Sequence, residues 1–178
     1  HGPLLSWERL KAILLVNTNQ VPKPNPYLYQ YGSSLNPVGK DEPIYFSKAG
    51  LTAQNLGWQT PEDWGTWSNG THARLALAVP ERESKVQTLR LEMRAFVGGP
   101  LACQKVIISI HHQKQSESCL SDFENNTIVI PLSLTDSLAK KPLVIDFSLP
   151  NAISPKSLGV SPNDERVLAI GLKQAVFE

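Results

Sequence analysis

Along TLRLEMRAFV (residues 88–97) apolar and polar side chains alternate, with Leu89, Leu91, Met93 and Ala95 on one side and Arg90, Glu92 and Arg94 on the other. A period of two predicts a β-strand with one buried and one wet face. THARLALAV (71–79) repeats the pattern with Ala73, Leu75, Leu77 and Val79. PIYFS (43–47), KVIISIHH (105–112), TIVIPL (127–132), LVIDFSL (143–149) and VLAIGLKQAVF (167–177) extend the series. Turn chemistry separates these runs: GGP at 98–100, ENN at 124–126, PN at 150–151 and SPND at 161–164. Many short strands punctuated in this way predict an all-β fold, an antiparallel β-sandwich of jelly-roll-like form. No amphipathic helix recurs between the strands, which argues against a βαβ architecture, and no internal repeat aligns.

The N-terminal part reads differently. SWERLKAILLV (6–16) predicts a short helix with Ser6 as N-cap and Trp7, Leu10 and Leu14 on one face. VPKPNPYLYQYGSSLNPVG (21–39) is too rich in Pro and Gly for a helix or a central strand. It reads as a linker or surface strap, with Tyr27, Tyr29 and Tyr31 to pack it down. The expected boundary falls near residue 40, giving a helix and strap over 1–40 and a sandwich over 41–178.

Composition narrows the function classes. The 178 residues suffice for one domain with a sizeable core, and 41% apolar with 19% charged residues is ordinary globular usage. A net charge of +1 and the lack of any long Lys/Arg run give no electrostatic case for nucleic acid or an anionic membrane surface. The longest apolar run, LKAILLV (10–16), is too short to cross a bilayer, so no membrane insertion by this segment is expected. No signal peptide is recognisable at the start.

Cys103 and Cys119 read in two ways. A bridge would close a loop of about 15 residues, worth roughly 3 kcal/mol in the chain-entropy model, and would imply an oxidising compartment. Two unpaired thiols are the other reading. No CxxC or HxxxH spacing occurs, so no metal site is expected. His111 and His112, adjacent on an expected strand, should face opposite ways, which suits neither a shared metal nor a catalytic dyad. There is no G-x-S-x-G elbow, P-loop or G-x-G-x-x-G. Glu62 and Asp63 are adjacent and would point apart if extended, a poor pair for glycoside hydrolysis, and Asp146 is expected on a solvated face. Neither catalytic residues nor a cofactor are expected.

One stretch stands out. GWQTPEDWGTWS (57–68) holds three of the four tryptophans. Trp58, Trp64 and Trp67 with Glu62, Asp63 and Asn69 would supply both the aromatic faces and the polar groups that a sugar needs. On general grounds the same stretch reads more strongly as a structural corner. Indoles bury large areas, and Gly57, Pro61 and Gly65 suit a tight crossover in which Glu62 meets backbone N–H groups or Arg166.

GWQTPEDWGTWSNGTHARLAL (57–77) and NAISPKSLGVSPNDERVLAIGL (151–172) resemble the C-terminal domain of bacterial envelope-glycan transferases. That family includes the membrane phosphoglycerol transferase of periplasmic glucans and related membrane glycosyltransferases. The first stretch is similar to a family pattern Gly-x-x-x-Pro-Glu-x-Trp-Gly-x-Trp-Ser. The second is similar to a Ser-Pro segment followed by Leu-Gly and Ile-Gly-Leu. The 111–126 region with Cys119 departs from the family as an insertion-like turn, and residues 1–40 are not covered. The resemblance implies a non-catalytic accessory module of a larger membrane-anchored bacterial transferase. Its place would be the periplasmic or extracytoplasmic face, and its partners a glycan and the parent's catalytic domain. The alternatives are a stand-alone carbohydrate-binding module and a purely structural domain packing on its parent enzyme. It also implies that the two stretches meet, with Arg166 opposite Glu62 or Asp63.

Overall fold

The computed structural model describes residues 39–47, 54–81, 85–132 and 142–178. The helix expected over 6–16 and nearly all of the strap over 21–39 lie outside the described residues. Among the described residues ten strands and one short helix follow in order: β1 (Ile44–Tyr45), β2 (Gln54–Leu56), β3 (Thr66–Trp67), β4 (His72–Leu77), β5 (Thr88–Ala95), β6 (Gln104–Ile110), β7 (Gln113–Leu120), β8 (Asn126–Pro131), β9 (Leu143–Ser148), α1 (Pro155–Leu158) and β10 (Ile170–Phe177). The first sheet runs β1-β10-β5-β8, with β3 also on β10, and the second runs β2-β4-β9-β6-β7. Every pairing is antiparallel. The molecule is the antiparallel β-sandwich that the alternating runs predict.

The inner faces follow the period of two. Leu89, Leu91, Met93 and Ala95 of β5 are buried, opposite Val106, Ile108 and Ile110 of β6 and Ile145 and Phe147 of β9. Burial of these apolar faces is the main stabilising term, about 25 cal/mol per Å² removed from water. Arg90 on the wet face of β5 is tied to Glu92 and Glu178, both at 2.9 Å.

A second, smaller core lies apart from the first. Trp67, Phe96, Leu158 and Leu168 bury together, and Trp64, Leu101, Ile153 and Val160 pack around them. Helix α1 supplies Leu158, and SPKSLG encodes that turn. The Ser154 hydroxyl caps the Ser157 N–H at 3.1 Å, Pro155 opens the helix, and Gly159 leaves it at φ 80°.

Short strands β1 and β3 lie end to end along one edge of β10, where Lys173 forms a bulge between Leu172 and Gln174. The Phe46 N–H donates to the Lys173 carbonyl at 3.1 Å, and the Thr66 hydroxyl donates to the Phe46 carbonyl at 2.5 Å. The bulge thus hands the edge from one short strand to the next.

Two expectations are corrected. QKQSESCL (113–120), which gave no strand signal and stood within the insertion-like turn, is strand β7. It is an edge strand in which only Leu120 is buried, so its pattern is polar on both faces. His111 and His112 do not extend β6. They are the two-residue turn joining it to β7, at φ 50° and 65°. Positive φ at both central positions is what the right-handed twist of a two-residue hairpin demands.

Edge strand β7 also carries an exposed cluster of charges. Glu117 lies 2.9 Å from Lys105 and also contacts Lys114. The hydrogen bond from Lys105, then that from Lys114, lowers its carboxyl to about 2. Because the folded value lies below that of the unfolded chain, its contribution is complete above the ordinary carboxylate range and is lost as pH falls through about 2. Carboxyl NMR should show a Glu117 midpoint near 2 that rises towards the usual glutamate range in Lys105→Met. An unshifted midpoint in the parent would remove this ion pair from the account.

Candidate functional site

The first tryptophan stretch and the second motif do meet, at the N-terminal end of β10. Trp67 pairs with Gly171 and Thr66 with Leu172. The Ser68 N–H donates to the Ile170 carbonyl at 2.7 Å, and its hydroxyl accepts from the Ala169 and Ile170 N–H groups at 3.1 and 3.0 Å. The Gly70 N–H donates to Val167 at 2.9 Å. The glycines permit this closeness. A Cβ at Gly65 would collide with the Leu172 carbonyl, and one at Gly171 with the Trp64 ring. At Gly57, φ is 78° and a Cβ would run into the His72 carbonyl.

The three indoles are placed differently. Trp58 is half-buried, its ring edge-on to Phe147 at 5.9 Å and its Nε1–H donating to the Arg74 carbonyl at 2.8 Å. Trp67 is 6% exposed, meeting Trp64 at 5.1 Å and Phe96 at 6.1 Å, both edge-on. Trp64 is half-buried over Gly171, with the Arg94 guanidinium 4.0 Å from its ring centroid. Asn69 closes the stretch through its N–H to Gly57 at 2.6 Å, and the Glu62 N–H donates to Gly65 at 2.8 Å. Asp63 is exposed on the same loop.

Arg166 is built into its own segment. Its guanidinium grips Asp164 through NH2 at 2.7 Å and Nε at 3.0 Å. The hydrogen bond with Asp164 raises its pKa against the opposing effect of burial, and Glu62 adds only a through-space attraction. The contact expected with Glu62 is therefore replaced by one two residues away, which costs less chain ordering to form.

The residue that turns this corner into an outward-facing surface is Phe123, which carried no prediction. It lies 6.0 Å from the Trp67 ring yet is 40% exposed. Its loop, between β7 and β8, is locked. Asp122 accepts from the Glu124 and Asn125 N–H groups at 2.8 and 3.0 Å, and Asn126 Nδ2 donates to the Met93 carbonyl at 3.1 Å. The N–H of Asn125, then that of Glu124, holds the Asp122 carboxyl below the usual carboxylate range. Glu124 reaches back to Arg94 at 3.1 Å, and Asn125 accepts from Lys173 at 3.0 Å. Phe123 is thus an aromatic face held on a rigid loop and bordered by Arg94, Glu124, Asn125 and Lys173. A lone aromatic within SDFENN is the sequence signal that marks it.

Cys103 and Cys119 are bonded, with Cα atoms 5.4 Å apart. Among the described residues no group of three or more His, Cys, Asp or Glu is placed to hold a metal ion. No described helix is long and apolar enough to cross a membrane.

No family model matches the chain, and no curated protein matches it. Among solved structures, an acetyl xylan esterase (Est2A) from the rumen bacterium Butyrivibrio proteoclasticus is 11% identical with a TM-score of 0.49. The match covers 77% of this chain but only 32% of that one. A family 6 carbohydrate-binding module is 10% identical at a TM-score of 0.43, over 80% of this chain and 98% of that one. A CBM51 from Clostridium perfringens GH95 is 12% identical at 0.38, over 81% and 96%. At these scores the similarity carries no conclusion about what this chain binds.

Proposed function

We propose that the sandwich is a non-catalytic accessory module that binds a glycan at the Phe123 surface. We place it within a larger membrane-anchored bacterial transferase acting on envelope or periplasmic glycans. The observation that carries the binding reading is Phe123 itself, an exposed ring on a loop fixed by the Asp122 carboxylate's hydrogen bonds to the following N–H groups rather than by burial. Sugar C–H faces stack on such a ring, while Glu124, Asn125 and the neighbouring cations meet hydroxyls. The parent transferase rests on the two motifs, and the extracytoplasmic setting is supported by the Cys103–Cys119 bond.

Oligosaccharide titration followed by tryptophan emission tests the reading, since Trp67 lies against Phe123. Phe123→Ala should weaken binding about tenfold, equivalent to about 1.4 kcal/mol, while leaving thermal unfolding almost unchanged. Equal affinity of parent and variant overturns the site. If no glycan binds and Phe123→Ala instead releases the parent catalytic domain, the surface is an interdomain contact and the structural alternative holds.

A further inference from the structure

The outer face of the second sheet carries a groove of about 430 Å³, lined from Leu56, just before the tryptophan stretch, across to Ser109 and Asp146. Three strands build its floor. Arg74 of β4 pairs with Asp146 of β9, and Asp146 pairs with Ser109 of β6, so the three side chains form one cross-strand row. Arg74 Nε donates to Asp146 Oδ1 at 2.7 Å. Leu56 and His72 line the groove on the β2–β4 side, and His112 reaches it from the β6–β7 turn.

Two features set this groove apart from a mere dip between side chains. The first is its backbone: His112 stands at φ 65° and His111 at φ 50°, where a two-residue turn favours Asn-Gly. The hairpin demands the positive φ but not an imidazole there, and His112 in place of glycine or asparagine sets its ring at the groove mouth at some backbone cost. The second is its charge. One cation and one anion are in direct contact, so the floor presents no net monopole. What remains is a set of groups that exchange hydrogen bonds: carboxylate, guanidinium, hydroxyl and two imidazoles. That set suits a ligand whose own groups each donate and accept, and which brings no charge needing a counter-ion.

We infer that this groove is a second ligand site, distinct from the Phe123 surface, and that it takes an uncharged sugar residue. Asp146 accepts from ring hydroxyls, Arg74, Ser109 and the imidazoles of His72 and His112 complete the polar contacts, and Leu56 meets a C–H face. The inference does not depend on binding at Phe123.

The test uses the 178-residue chain and follows the imidazole proton–carbon signals of His72 and His112 by NMR. The probes are cellohexaose, xylohexaose, mannohexaose and lactose at up to tens of millimolar, with trigalacturonate as the acidic comparison. At least one neutral probe should shift both imidazoles. Asp146→Asn and His112→Gly should each weaken that response about tenfold or more. His112→Gly should also raise the melting temperature, because glycine relieves the positive φ, so its loss of binding does not reflect unfolding. Phe123→Ala should leave the imidazole response intact, which separates the two sites. Shifts produced only by trigalacturonate overturn the uncharged ligand. No shift with any neutral probe, or an unchanged response in His112→Gly, overturns the site.

Discussion

Replacing Trp67 with alanine is expected to lower the unfolding free energy by about 3–5 kcal/mol, the range for deleting a large buried aromatic. For a chain of this length that corresponds to a fall in melting temperature of roughly 10 °C. The ring is 6% exposed and is met by Trp64, Phe96 and Phe123, so its removal opens the centre of the smaller core. It also loosens the seat of α1, since Leu158 packs in the same cluster. Trp64→Ala should cost less, about 1–2 kcal/mol, because half-burial forfeits less apolar area. Denaturant unfolding of the two variants checks the ranking. A Trp67→Ala loss below that of Trp64→Ala would mean that the corner is held by its backbone pairing with β10 and not by the indole.

That ranking was not open to prediction from composition. The three indoles occupy twelve residues, and nothing in GWQTPEDWGTWS tells the buried ring from the half-buried ones. What separates them is what closes over each ring: Gly171, a hundred residues away, leaves room for both Trp64 and Trp67 on the outer face of the first sheet, and Trp64, Phe96 and Phe123 then enclose Trp67. Local pattern served well where one face of a strand is buried, as in β5, whose alternation is unbroken. It failed where a strand is polar on both faces, as in β7, and where strands are only two or three residues long, as in β2 and β3. The His111–His112 turn was hidden because the residues lack the Asn-Gly chemistry of such hairpins. Caps were more legible in principle: Ser154, Pro155 and Gly159 bracket α1 within six residues.

The candidate surfaces share that division. Phe123 is detectable as a single aromatic among polar residues, whereas the Arg74–Asp146 pair joins residues 72 positions apart. Such a pair depends on the register of β4 against β9, and a one-residue shift of either strand would send its member of the pair to the core face and break the contact. The chemistry of the groove is therefore a property of topology, while that of the loop is a property of local sequence.

Removing the bond between Cys103 and Cys119 by double substitution with serine should cost about 3 kcal/mol, as the chain-entropy model gives for a loop of this size. The bond joins residues 16 apart in sequence across the open end of the β6–β7 hairpin, where Cys119 pairs with Lys105. Its importance follows from what β7 lacks. Only Leu120 of that strand is buried, so hydrophobic anchoring is slight, and the exposed ion pairs of Glu117 add little in water. Without the bond, amide exchange should speed up along β7 before it does in β5 or β10, whose inner faces stay in the main core. The parent in reductant should then unfold like the double variant, because Cys119 is exposed and open to attack. A loss well under 1 kcal/mol, with exchange in β7 unchanged, would show that the hairpin persists in the unfolded chain. The bond would then constrain a loop that is already closed.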